Sequence, residues 1–318
     1  MLKYILRRIL WLIPVTLGVL IIIFALSAIT PGDPVDTIVG QNATYEAKQA
    51  ARIEYGLDKP VTTRFFNYLA GIVTKGDLGR SYTSKQPVIE EIMKRFPYSI
   101  ALALLSTFIS LIIALPVGVI SAVKQYSWID NVTMVLSLLF VSIPDFWFAL
   151  LTLMLFSVKL GWLPASGIGS LANWILPVAM IGIGGVGSFA RIIRSSMLEV
   201  VRQDYIRTSR AKGLREFIVI YKHGLRNALI PLIATVGNTV GVCLGGIVVC
   251  ESIFSIPGVG QYTLNAINTR DWPAIQGSII VLSIAFCLIM LITDLLYVAA
   301  DPRLRSEYST KKTKKGAA

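Results

Sequence analysis

The stretch "YSIALALLSTFISLIIALPVGVISAV", Tyr98–Val123, carries no charged residue. Wound as an α-helix at about 1.5 Å per residue, it is long enough to cross the roughly 30 Å of hydrocarbon in a bilayer. Similar apolar runs recur along the 318-residue chain, of which 54% is hydrophobic and 15% charged. A soluble domain of this length carries about 25% charge, and a mean hydropathy of +0.68 points the same way. The chain therefore reads as an all-α polytopic membrane protein.

Working outward from Tyr98–Val123, the hydropathy pattern predicts six transmembrane helices, near Ile9–Thr30, Tyr98–Val123, Val132–Val158, Trp174–Ile193, Leu229–Cys250 and Gly277–Ala299. Six crossings leave both termini on one side. Nineteen Lys and Arg fall on that side: three before the first span, Lys124, nine from Arg191 at the end of the fourth span to Arg226 before the fifth, and six after the last. The short loops opposite hold only Lys159 and Arg270. The positive-inside rule then predicts cytoplasmic termini. The same rule explains the net charge of +12 as topology, so a lipid bilayer is the expected partner and no nucleic acid is.

The organisation that follows is a cytoplasmic N-terminus and first span (1–30), an extracytoplasmic insertion (31–97), a five-helix core (98–299) with a cytoplasmic loop (194–228), and a basic cytoplasmic tail (300–318). The insertion holds nine bases and eight acids, and the rule weakens in loops beyond about 60 residues. Its scattered apolar residues, Ile38, Val39, Leu57, Phe65, Phe66, Leu69 and Ile72, predict a small cap of short helices. The N-terminal Lys3, Arg7 and Arg8 before an apolar run resemble a signal peptide. The run of about 22 residues exceeds a signal core of 7–15, so retention as a span is expected.

Gly182, Gly184 and Gly187 match G-x-G-x-x-G, but they lie within a span and lack the strand-turn-helix context of a dinucleotide site, so close helix packing is expected. Gly237, Gly241 and Gly245 recur every fourth residue and predict a smooth packing stripe. The chain has no G-x-x-x-x-G-K-[ST] phosphate loop. With a single histidine, His223, it offers little for acid–base chemistry or a metal site. No catalytic residue, metal or cofactor is therefore expected on this chain. Cys243, Cys250 and Cys287 lie in apolar runs, and the first two, seven apart on one predicted helix, are too distant for a disulfide.

Asp145, in "SIPDFWF", falls near the midpoint of the third predicted span, where an Asp costs about 2.5–3.5 kcal/mol. It must face either a polar route or a neighbouring helix. Pro144 bends the helix there, and Trp147 and Glu251 join Asp145 as candidates for a translocation path. Asp294 lies near a span end and is less informative.

Between the fourth and fifth spans runs "RQDYIRTSRAKGLREFIVIYKHGLRNALIP", Arg202–Pro231. Asp204 is expected to cap a helix over Tyr205–Lys212, about two turns long, which Gly213 ends in a left-handed conformation. The segment Arg207, Thr208, Ser209, Arg210, Ala211, Lys212, Gly213 and Leu214 combines small side chains with bases, as a helix seated in a partner's groove does. The apolar Phe217–Tyr221 would seat it against the membrane.

This segment resembles the "EAA" loop of ABC-importer permeases of the dipeptide/oligopeptide/nickel (DppB/OppB-like) family. Gly213 fits its glycine, Arg207–Ser209 takes the place of E-A-A, and His223–Arg226 the place of I-x-L-P, keeping only the leucine. "RTSRAKGL" and "HGLRNALIP" are the forms of the peptide branch. "TPGDP" (Thr30–Pro34), "ESIFSIPGVG" (Glu251–Gly260) and "DPRLR" (Asp301–Arg305) extend the resemblance over nearly the whole chain. It implies a type I importer permease in the bacterial cell membrane. Its partners would be a second homologous permease, two ATPases that bind ATP and Mg, and an extracytoplasmic substrate-binding protein. Residues 207–214 would be the coupling helix. Peptides are the implied substrate, with nickel or a metal chelate as the alternative. A secondary transporter or channel would instead need a proton or ion relay within the bilayer, and only Asp145 lies centrally.

Overall fold

The computed structural model describes residues 2–300, so the "DPRLR" motif and the basic tail lie outside the described residues. Among those described the chain is helical, and the only extended pairing is an isolated bridge between Arg80 and Pro87. Four helices are long and apolar enough to span a membrane, and six crossings result when each of two bent pairs counts as one.

Two compact units share the chain. One combines residues 4–101 with 244–287. It opens with α1 (Leu2–Ile29), followed by three short helices, α2 (Pro34–Val39), α3 (Tyr45–Glu54) and α4 (Val61–Lys75). Within "TPGDP", Asp33 accepts the Val35 amide at 3.0 Å and Pro34 occupies the first turn of α2, where its missing N–H costs nothing. Arg52 from α3 pairs with the same Asp33 carboxylate. Thr44 caps α3, and Gly76, left-handed, ends α4. The next helix, α5 (Val88–Val123), starts ten residues before the predicted span.

Residues 31–97 do not stand alone. Leu20 and Phe24 of α1 are buried with Leu78, Val88 and Ile92, and with Val259 and Ile280 from the later segment. Phe24 meets Phe65 of α4 edge to face at 5.2 Å. Asp271, 2% exposed, accepts the Ser81 hydroxyl at 2.5 Å and the Tyr82 and Thr83 amides at 3.0 and 3.1 Å. The Thr37 hydroxyl donates to the Thr269 carbonyl at 3.0 Å.

The second unit comprises residues 102–243 and 288–300 among those described. Here α6 (Trp128–Ser142) and α7 (Asp145–Thr152), the latter prolonged by a π-helical turn (Leu153–Lys159), replace the single straight third span expected from hydropathy. They meet at 98°. Pro144 has no N–H to continue the ladder, and Ile143 before it is extended at ψ 126°, as a residue preceding proline prefers. Next come α8 (Ala172–Val201), α9 (Asp204–Ala211), α10 (Glu216–Ile218), a π turn (Val219–Gly224), α11 (Leu225–Ala228) and α12 (Ile230–Gly246). The fifth span is a second bent pair, turning 54° at the α11–α12 junction beside Pro231.

Phe189, Ala190, Ile193 and Met197 of α8 form the core of this unit with Ala114, Val119, Ile220 and Leu232. A Cβ at Gly187 would lie 2.7 Å from the Ser137 carbonyl, so this glycine of the apparent nucleotide motif lets α6 and α8 touch. The described residues close with α13 (Val248–Ile253), α14 (Val259–Thr269) and α15 (Trp272–Ala300). Cys243 and Cys250 therefore sit on different helices, and none of the three cysteines forms a disulfide among the described residues.

Candidate functional site

The bases of Arg202–Pro231 surround α9. Asp204 is its first residue, not its cap: the preceding Gln203 is extended and makes no side-chain capping bond. An acid in the first turn still favours the helix by opposing its dipole. The far end forms as the sequence predicts, with Lys212 closing the helix and Gly213 at φ +75°. Of the residues in α9 only Ile206 is buried, at 1% exposure. Arg207, Thr208, Arg210 and Ala211 are exposed, as are Lys212, Gly213 and Leu214, while Ser209 is half-buried.

This short helix is held on a firm base. Asn227 donates to the Tyr205 hydroxyl at 2.8 Å. Arg210 reaches across the Gly213 turn to Glu216, with its Nη2 at 2.7 Å and Nε at 3.1 Å from the carboxylate. Val219 and Ile220 are buried beneath, while Phe217 and Tyr221 stay exposed and stack at 4.5 Å. The result is an anchored helix presenting most of its surface, the geometry a docking element needs.

Behind it lies a strut that the base count had reduced to topology. Arg194 of α8 forms a fork with Asp130, Nε at 2.6 Å and Nη2 at 2.7 Å. Asp130, 1% exposed, also accepts the Ser121 hydroxyl and the Tyr126 amide. One carboxylate thus ties the end of α5, the α5–α6 turn and α8, the helix that leads directly into α9. Of the bases in this connection, Arg194 and Arg210 donate to carboxylates at close range, and Arg207 lies 3.9 Å from the exposed Asp204.

The path candidates separate. Asp145 begins α7 at the 98° break, and it and Trp147 are exposed. Glu251 is 1% exposed and faces no open route: Ser99 donates to it at 2.6 Å and the Gln261 amide at 2.8 Å. It builds the "ESIFSIPGVG" turn. A Cβ on Gly258 would fall 2.1 Å from the Glu251 carboxyl carbon, so the motif's glycine makes room for its own glutamate. In the glycine stripe, a Cβ on Gly237 would lie 1.9 Å from Thr293 Oγ1, Gly241 is buried, and Gly245 has nothing within 4 Å. Among the described residues no cluster of His, Cys, Asp or Glu has the form of a metal site.

A cavity of about 300 Å³ lies in the unit of residues 4–101 and 244–287, between α4 and the start of α15. Lys59, Arg64, Asn67 and Gln276 supply its polar lining. Tyr68 and Tyr82 also line it; burial pushes the Tyr82 phenol up to about 12 and that of Tyr68 higher still, so both remain O–H donors at neutral pH.

Comparison with known proteins gives a consistent result. The family described as "Binding-protein-dependent transport system inner membrane component" matches residues 114–306, and the corresponding N-terminal family matches residues 1–103. The glutathione transport system permease protein GsiC of Pectobacterium atrosepticum is 39% identical over 96% of this chain and 99% of its own length. The dipeptide transport system permease protein DppB of Alkalihalophilus pseudofirmus is 40% identical over 96% and 100%. Among solved structures, an inward-facing MetNI methionine ABC transporter aligns with a TM-score of 0.57 at 19% identity, over 68% of this chain and 99% of that one. An amino acid ABC transporter aligns at 0.51 and 14%, over 68% and 94%. At these identities the likeness concerns fold alone, the type I importer permease fold.

Proposed function

The chain belongs to the family of binding-protein-dependent transport system inner membrane components, and from that premise we propose that it forms half of the translocation path of an ATP-driven peptide importer. It is a multi-pass, non-catalytic permease subunit of an ABC transporter. The observation that carries the peptide reading is similarity along nearly the full length of permeases named for a dipeptide and for glutathione, itself a tripeptide.

In this reading a second homologous permease completes the path, two ATPases bind ATP and Mg, and an extracytoplasmic binding protein delivers the substrate. This chain itself holds no cofactor. The excess of bases in the 194–228 connection supports cytoplasmic termini in a bacterial cell membrane. Residues 207–214 then dock in an ATPase groove. Their exposure around one buried anchor, Ile206, supports that role; Lys212, and Arg207 with only the exposed Asp204 beside it, are the bases that face the ATPase. Asp145 and Trp147 line the path, and Gly237 and Gly241 serve helix packing.

Uptake of a radiolabelled dipeptide by cells producing the whole importer tests both parts. Gly213→Val places a β-branched residue at φ +75°, where it is poorly tolerated. Uptake should fall at least tenfold while membrane insertion stays normal. Wild-type uptake in that variant would remove the coupling role. Nickel uptake without dipeptide uptake by the unmodified importer would overturn the substrate.

A further inference from the structure

The cavity between α4 and the start of α15 has no part in the reading above. Its lining is unbalanced in charge: Lys59 and Arg64 make no ion pair among the described residues, against one acid, Asp77, whose carboxylate already accepts the Gly79 amide at 2.8 Å. The Tyr68 hydroxyl is buried without a hydrogen-bond partner, a costly state unless a ligand or water completes it. Asn67 and Gln276 add amides, and Tyr55 and Trp272 add aromatic walls. Unpaired cations, an orphaned O–H donor and aromatic surface together suit an anionic group attached to an apolar side chain. The volume of about 300 Å³ lies at the small end of ligand sites.

An anionic lipid has the same headgroup charge but needs an apolar track for its chains. At about 100° per residue, Arg64, Asn67 and Gly71 share one face of α4, while the exposed apolar Phe66 and Val73 lie on the far side of the helix. The cavity therefore opens away from the surface that would carry acyl chains. A hydrated peptide end needs no such track.

We propose that this cavity is a recognition site for the carboxyl terminus of the transported peptide. Lys59 and Arg64 hold the carboxylate, the Tyr68 hydroxyl donates to it, and Tyr55 and Trp272 pack the last side chain. The proposal rests on the peptide reading of the substrate and on residues 31–97 facing the side from which substrate arrives.

The test is equilibrium binding of radiolabelled alanylphenylalanine to the assembly of both permeases and both ATPases in nanodiscs of zwitterionic lipid, without ATP and without the binding protein, which would itself hold the peptide. The free acid should bind saturably and its C-terminal amide about tenfold more weakly, the equivalent of one charge-assisted hydrogen bond. Lys59→Gln and Arg64→Gln should each weaken the acid by about tenfold and narrow the difference between acid and amide, and Tyr68→Phe should weaken it a fewfold. Lys59 is exposed and Arg64 half-buried, so the fold should tolerate these changes; the acid–amide comparison in the wild type needs no variant. Absent binding, equal binding of acid and amide, or a Lys59→Gln/Arg64→Gln double variant that binds like the wild type overturns the proposal. Displacement of the peptide by phosphatidylglycerol, but not by a free dipeptide, identifies the site as a lipid site and also overturns it. Uptake measured in parallel separates the two readings: an importer that moves no peptide defeats the substrate assignment. One that moves acid and amide equally defeats the cavity assignment alone.

Discussion

At 1% exposure the Glu251 carboxylate depends on the donors around it, the Ser99 hydroxyl at 2.6 Å and the Gln261 amide at 2.8 Å. Glu251→Gln replaces one acceptor with an NH₂ group facing a donor, which costs about 1–3 kcal/mol. Gly258→Ala forces a methyl into the space of the carboxyl group, at a similar cost of about 1–3 kcal/mol from overpacking. Because both effects concern the same space, Gly258→Ala should cost less in a Glu251→Ala background. Thermal unfolding of the purified chain in detergent measures this, and strictly additive losses would remove the contact. Asp145 differs in being exposed at the first position of α7. Asp145→Asn gives up only a helix-end charge, about 0.3–1 kcal/mol. A change in transport that depends on substrate charge, at unchanged stability, is the expected sign of a path residue; equal transport of all substrates would deny it that role.

The strut between Asp130 and Arg194 acts on elements: it joins the end of α5, the first turn of α6 and the stem of α9. Arg194→Ala would strand a carboxylate that is almost wholly buried. Breaking a buried pair costs about 3–5 kcal/mol, and the lower end is expected because the Arg194 side chain keeps 21% exposure. Unfolding temperature should therefore drop clearly, with ATPase coupling impaired in what remains folded. Asp130→Asn/Arg194→Met, which removes both charges, should recover much of the stability; a double variant no better than Arg194→Ala would show that the pair is not the source. The Arg210–Glu216 pair is exposed, and such pairs are worth about 0–1 kcal/mol. Its part is to shape the Gly213 turn.

For the whole molecule, the distribution of bases makes a prediction about sidedness. Single cysteines at Asn42 and Lys124, both exposed, in a background lacking Cys243, Cys250 and Cys287, should react with an impermeant maleimide from outside and from inside respectively. Labelling of both from one side would undo the six-crossing arrangement, because the two sites are separated by the single long helix α5. The division into two units bears on the same experiment. The 31–97 segment is tied through Thr37 to Thr269 at the end of α14 and through Ser81 to Asp271 just after it, so Asp271→Ala should raise reagent access near Ser81 without changing which side is labelled.

The crossings, the short helices of residues 31–97, α9 and its left-handed Gly213 were legible in the sequence, because hydrophobic length, helix termination and turn chemistry are properties of neighbouring residues. Pro144 signalled a bend for the same reason, but its 98° angle depends on how α6 and α7 pack onto α8. The roles of Glu251, Asp271 and Asp130 were not legible. Glu251 meets Ser99 across 152 positions, Asp271 meets Ser81 across 190, and Asp130 meets Arg194 across 64. In the linear chain Arg194 and Arg210 look like any other base of the 194–228 connection, and Glu251 like a polar residue near a path. Only the tertiary structure decides which donors a carboxylate meets, since desolvation makes that pairing obligatory once burial has brought distant segments together.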